Sequence, residues 1–163
     1  MNREISLKET SFYQLLCNRN PVCRMWVADH KKRIPGNAEG YLAMRDELCE
    51  KGLCELDFDG KLHMGSVFSR LLYDLEHTGA ILQLQPEGLW YIRVAVDILK
   101  VTLSEGIAEI VPVSYSEFAG EHEDKLVSGD FLSEELWTGK LHKVNTDPKE
   151  EAIFREIFFK QDS

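Results

Sequence analysis

The residues with the most obvious chemistry are Glu121-His122-Glu123-Asp124, an imidazole set among three carboxylates. Such a set could hold a divalent ion or pass protons to a substrate. Neighbours along one loop do not converge on a point, however, and a metal site needs ligands that do. The cysteines are Cys17, Cys23, Cys49 and Cys54, with five residues between the first two and four between the last two. No paired C-x2-C spacing of a structural zinc site is present. Cys17 and Cys49 fall on predicted helix faces and Cys54 in a predicted strand, so all four read as small hydrophobes of the interior. His63 lies at a hairpin edge, and His77 lies at a helix C-terminus, where its charge suits the helix dipole. Ser66 follows Gly65 at a helix start without the G-x-S-x-G context of a nucleophile. The glycines form neither a G-x-x-x-x-G-K-S/T loop nor a G-x-G-x-x-G turn. The expectation is a protein that is not an enzyme, with no catalytic residue, no metal and no cofactor.

The elements that would position these residues centre on Asn37 to Leu84. Asn37 can cap a helix with Tyr41, Met44 and Leu48 as its stripe and Cys49 beside it, and Gly52 stands where a left-handed C-terminal cap belongs. Leu53 to Met64 reads as a hairpin. A two-residue Asp59-Gly60 turn would pair Asp57 with Leu62 and Leu56 with His63, mixing polar and apolar side chains. A three-residue loop, Phe58-Asp59-Gly60, instead pairs Leu56 with Leu62 and Cys54 with Met64 on one face, and Asp57 with Lys61 and Glu55 with His63 on the other. The second arrangement is the expected one, with the apolar face packed. Ser66 starts a second helix with Phe68, Leu72 and Leu75 as its stripe, widened by Val67 and Leu71 and ended by Gly79. Ala80 to Leu84 is a short strand closed by Pro86-Glu87-Gly88.

Upstream, Thr10 or Ser11 caps a short helix, Phe12 to Asn18, Asn20-Pro21 marks a turn, and Val22 to Ala28 reads as a strand. His30 to Arg33 is a short basic run. Downstream, Trp90, Ile92, Val94 and Val96 alternate with Tyr91, Arg93 and Ala95, and from Leu99 the apolar parity flips to Leu99, Val101 and Leu103. A bulge or tight turn near Asp97 would absorb the flip. Glu105-Gly106 then turns the chain into Ile107 to Val113, with two or three loop residues left open. Ser114 to Asn145 is polar and acidic, with an apolar island of Phe131, Leu132, Leu136 and Trp137, read as a loop with one short helix capped by Ser133. A final helix runs from about Asp147 to Lys160, with Ile153, Phe154, Ile157, Phe158 and Phe159 as its apolar residues.

The expected fold is therefore α+β: an antiparallel sheet of three to five strands with helices on one face, the other face solvated, and a helix–hairpin–helix unit in the N-terminal half. Residues 1–113 form the α+β core, 114–146 an acidic loop-rich segment, and 147–163 a C-terminal amphipathic helix of the same domain. The 163 residues suit one domain, and no apolar run is long enough to span a membrane. The N-terminus lacks the apolar core of a signal peptide, so the expected address is cytoplasmic, without membrane insertion.

The net charge of −9 is unevenly spread. Residues 1–33 carry seven Lys/Arg against three Asp/Glu, a net of +4, and residues 114–151 carry four against ten, a net of −6. A helix followed by a hairpin with Asp-Gly at its tip has the outline of a winged helix. Residues 39–59, however, carry seven acids and two bases, a net of −5, where binding to phosphates needs Lys and Arg. Nucleic acid is thus an unfavoured partner.

The order of elements carries a further likeness. The helix Phe12-Tyr-Gln-Leu-Leu16 is followed by Leu48-Cys-Glu-Lys-Gly-Leu53, the hairpin Asp59-Gly-Lys-Leu62, the amphipathic helix Phe68 to Leu75, the extended Ala80 to Leu84 and a strand meander. Over roughly residues 10–113 this resembles the front half of EspG-like chaperones and related accessory proteins of type VII (ESX-type) secretion systems. The resemblance implies an α/β protein built on an antiparallel sheet that holds helical secretion substrates in the cytoplasm. The expectation is a non-catalytic protein-binding protein, a chaperone or accessory factor for secreted helical substrates. The alternatives are a winged-helix-like transcription regulator and an immunity protein that neutralises a toxin. The candidate protein-binding residues are Trp137, Phe154, Phe158 and Phe159. The aromatic face of the last helix either completes the core or docks a partner or a second copy in a homo-oligomer.

Overall fold

The computed structural model describes residues 3–17, 20–29, 38–84, 88–122, 129–133, 142–143 and 148–159. The chain enters as strand β1 (Ile5–Lys8) and continues through helices α1 (Glu9–Cys17), α2 (Pro21–Asp29) and α3 (Ala38–Glu50). A ribbon of β2 (Cys54–Leu56) and β3 (Leu62–Met64) leads to α4 (Ser66–Glu76). Then come β4 (Ala80–Leu84), β5 (Leu89–Arg93), β6 (Ile98–Ser104), β7 (Ile107–Val113), α5 (Tyr115–His122), β8 (Gly129–Ser133), β9 (His142–Lys143) and α6 (Pro148–Phe159). The main sheet runs β1-β7-β6-β5-β4-β8-β9, with every neighbouring pair antiparallel. It is thus wider than the three to five strands expected.

The β4–β7 meander follows from side-chain parity. Ile92 pairs with Leu99 and Trp90 with Val101, so the apolar set moves from even to odd positions because the chain reverses at a four-residue turn, not because a strand bulges. The Val94 N–H donates to the Asp97 carbonyl across that turn (3.1 Å). The next hairpin has two loop residues, Ser104 lying opposite Ile107. Glu105 (φ 52°) and Gly106 (φ 77°) both adopt the left-handed backbone of a type I′ turn. That conformation is strained for Glu. Glu105→Asn is therefore expected to raise stability by about 0.5–1 kcal/mol, read as a higher urea midpoint at unchanged slope.

Helices cover both faces, not one. On one side Ile81, Trp90, Ile92, Leu99, Val101, Ala108, Ile110 and Leu132, with Ile5 and Leu7, pack against α1–α4. Trp90 sits at the centre of that layer, edge-on to Trp26 at 5.7 Å and beside Phe12 at 6.2 Å, and its indole N–H donates to Gln83 Oε1 at 3.0 Å. On the other side Ala80, Leu82, Tyr91, Ile98 and Phe131 pack against α5 and α6 through Phe118, Phe154, Ile157 and Phe158. A strand such as Ala-Ile-Leu-Gln-Leu, apolar at successive positions, is what burial on both faces produces.

Other departures have local causes. Val22 to Ala28 is helical, not a strand: Val22, Cys23, Trp26 and Val27 form one buried helical face. Asn20 Oδ1 accepts from the Val22 N–H at 2.8 Å, and Pro21 opens the first turn, where its missing N–H is not needed. The acidic segment after Val113 supplies α5, β8 and β9, and Phe131 and Leu132 are strand residues facing opposite cores. The proposed helix after Ser133 lies outside the described residues, as do Asn37 and Trp137. Helix α4 ends at Glu76, before Gly79: the Thr78 hydroxyl donates to the Leu75 carbonyl (2.9 Å), and His77 Nδ1 lies 2.8 Å from the Tyr73 carbonyl.

Of the stretch from Asn37 to Leu84 only β4 joins the main sheet, and the β2–β3 ribbon forms a separate two-stranded sheet. Among the described residues β2 and β3 pair only with each other. Their register is Cys54 with Met64, Glu55 with His63 and Leu56 with Leu62, the pairing that parity selected. Helix α3 ends in a Schellman arrangement about Gly52 (φ 71°), with the Leu53 N–H donating to the Leu48 carbonyl (2.9 Å) and the Gly52 N–H to the Cys49 carbonyl (3.1 Å).

Candidate functional site

The ribbon's apolar face is packed in part, through Cys54 and Leu62. Cys54 is buried, but Leu56 and Met64 are 43% and 52% exposed. The reason is width: a ribbon of two three-residue strands is too narrow for its whole apolar face to be covered by the elements described beside it. Across from it α3 turns Met44 and Leu48 inward. Tyr41, one turn earlier on the same stripe, is 48% exposed.

Between them lies a groove of about 170 Å³. Buried Leu15, Met44, Leu48 and Phe68 form its floor, and Tyr41, Leu62, Met64 and Leu72 its rim. The lining is apolar apart from Arg45. The Arg45 guanidinium has one nitrogen 3.5 Å from Asp46 Oδ1. Its Nε is buried and makes no hydrogen bond among the described residues. A half-open apolar groove with one under-satisfied cation fits an apolar side chain accompanied by a carboxylate.

The ribbon tip is held stiffly. Asp57 Oδ1 accepts from the Asp59 and Lys61 backbone N–H groups (both 2.9 Å), and Asp57 Oδ2 lies 2.8 Å from His63 Nε2. The His63 contact and these backbone donors hold the Asp57 carboxyl below the usual carboxylate range. Gly60 takes the left-handed position of the loop (φ 77°) and donates its N–H to the Asp57 carbonyl at 3.0 Å. The result presents Phe58 fully to solvent (110%).

The C-terminal candidates sit elsewhere. Phe154 and Phe158 are buried in the second core, Phe154 5.7 Å from Phe131 and Phe158 5.5 Å from Phe118. Phe159 is partly buried against the same cluster. Glu121 is an exposed residue of α5, while Glu123 and Asp124 lie outside the described residues. Cys23 and Cys54 are buried, Cys17 and Cys49 half-buried, and all four are free. Burial pushes the Cys23 thiol up to about 12 and also raises Cys17 and Cys54, which makes them poor nucleophiles. Among the described residues no group of three or more His, Cys, Asp or Glu could hold a metal ion, and no helix is long and apolar enough to cross a membrane. A more polar hollow of about 310 Å³ lies over β1 and β7. It offers Glu4, Ser6 and Glu109 beside backbone and no converging set of donors.

The groove escaped sequence reasoning because its residues were read as core. A usable signal was present: a hairpin of two short strands carries an apolar face that nothing further along the chain was positioned to cover. In comparison with known proteins, the chain matches no family model and no curated protein.

Proposed function

We propose that this is a non-catalytic protein-binding protein that takes an apolar, helical segment of another protein into the groove between α3, the β2–β3 ribbon and α4. The observation that carries the reading is the groove itself: Tyr41 and Met64 are large apolar side chains left near half-exposed around a preformed apolar floor, with Leu62 and Leu72 partly exposed beside them. Covering a side chain of this kind is worth roughly 1.5–3 kcal/mol when burial is complete, so leaving several open in one place marks a surface used for binding. Arg45 adds a direction. A partner helix with a carboxylate beside its apolar stripe would pair with the guanidinium. The likeness in element order to secretion chaperones supports the narrower reading of a chaperone or accessory factor for helical secretion substrates.

A photo-crosslinking residue in place of Tyr41, in the full chain and in native cell extract, tests this. The expected result is a specific adduct to one protein, lost when Met64→Asp is added and absent when the crosslinker replaces Glu105 on the β6–β7 turn, which does not line the groove. A helical secreted protein in the adduct supports the chaperone reading, and a toxin or a DNA-bound protein contradicts it. No adduct from position 41, or equal adducts from both positions, overturns the groove as a binding site.

A further inference from the structure

We infer that in the absence of its partner the groove is filled by Phe58 from a second copy of this chain, giving a reciprocal dimer. The inference rests on the reading of the groove as a protein-binding site and names a competing occupant. Three observations meet. First, Phe58 is fully exposed at the end of a ribbon stiffened by Asp57 and Gly60. An aromatic ring held out on a rigid turn loses little freedom on docking. Second, the sizes agree: apolar cavities of roughly 150 Å³ accept a benzene ring, and the groove measures about 170 Å³. Third, the charges agree. Asp59, next to Phe58, is exposed, and the Arg45 side chain in the groove is 31% exposed, with a guanidinium nitrogen no nearer than 3.5 Å to Asp46 Oδ1. Phe58 in the floor brings Asp59 to the exposed end of the Arg45 guanidinium. The same patch gives and receives, so the contact closes with two-fold symmetry and does not propagate.

Sedimentation velocity of the full chain across micromolar concentrations tests the inference. The wild-type chain is expected to dimerise reversibly. Phe58→Ser removes the donor at a site with no packing of its own and is expected to weaken the dimer roughly 30-fold or more, as loss of a central aromatic anchor does. Leu72→Trp fills the groove from its α4 wall and is expected to do the same. Mixing the two variants is expected to restore a weaker heterodimer, because one retains the groove and the other the tip. A wild-type chain that stays monomeric, a Phe58→Ser chain that dimerises as strongly as wild type, or a mixture that stays monomeric overturns the inference. The outcome is separable from that of the groove reading: a retained Tyr41 adduct to another protein in the Phe58→Ser chain leaves the partner site standing whatever the dimer does. If Phe58 competes for the groove, that adduct is also expected to form at lower partner concentration in Phe58→Ser than in wild type.

Discussion

Phe158→Ala is expected to lower stability by about 3–5 kcal/mol, the usual cost of emptying a buried aromatic site. In a chain of this size that corresponds to a fall in Tm of roughly 6–20 °C. Phe158 is fully buried, with Phe118 at 5.5 Å and Phe154 at 5.2 Å, and these rings close the second face of the sheet over Tyr91 and Phe131. Denaturant unfolding followed by circular dichroism measures the effect. Phe159→Ala is expected to cost less, because that ring is only partly buried. Ending the chain before Asp147 removes Phe154, Ile157 and Phe158 together and is expected to abolish cooperative unfolding. A truncated chain that unfolds at the wild-type midpoint but no longer associates would instead make α6 a docking helix.

Glu47→Ala is expected to cost about 2–4 kcal/mol, through a different mechanism. β1 is an edge strand, and the backbone groups it turns outward are occupied by α3. Glu47 Oε2 accepts from the Lys8 N–H at 2.8 Å, Glu47 Oε1 from the Ser11 hydroxyl at 2.6 Å, and Lys51 Nζ donates both to the Ser6 carbonyl at 2.6 Å and to Glu47 Oε2 at 2.8 Å. Removing the carboxylate strands a buried hydroxyl and a backbone donor and frees the edge of the sheet. Burial alone opposes ionisation of Glu47. The hydrogen bonds from Lys51, Ser11 and Lys8 outweigh it and hold the carboxyl below its ordinary value. A carboxyl depressed in the folded state stabilises above its unfolded pKa, about 4.3, and loses that contribution as pH falls through the folded value. The stability gap between wild type and Glu47→Gln is therefore expected to be full at pH 7 and to close below about pH 4. A gap that stays constant into acid contradicts the ionic part of the account.

Much of the architecture was legible where neighbours in sequence are neighbours in space. The register of the β2–β3 ribbon followed from matching side chains across a three-residue loop, and the β4–β7 meander followed from alternation and turns. Helices α1, α3 and α4 followed from their apolar periodicity. The misreadings occurred where local pattern and tertiary packing part company. Val22 to Ala28 has the β-branched and aromatic content of a strand, yet its buried residues fall at helical spacing under an Asn20 cap, and the cap decides. β1 is four residues long and pairs with a strand about a hundred residues away, Ile5 lying opposite Ile110. Nothing local reports such a pairing. Phe131 and Leu132 are embedded in a polar segment and become a strand only because β4 offers an unpaired edge. The second helical layer was hidden for a related reason: alternation was taken to mean one dry face, while Tyr91 and Ile98, on the other face, are buried too. The groove was the least legible feature. Tyr41, Leu62, Met64 and Leu72 were recognised as apolar positions of the right elements, but whether an apolar stripe is covered depends on how far its neighbours reach.

The central claim is that this groove is where another protein binds, and methionine methyl NMR tests it most directly. Met44 and Met64 line the groove, whereas Met25 packs against the first core from α2. With the protein captured at position 41 added to the isotope-labelled full chain, the account predicts that the Met44 and Met64 methyl signals shift while that of Met25 stays in place. Saturable binding that moves Met25 and leaves Met44 and Met64 unchanged would contradict it.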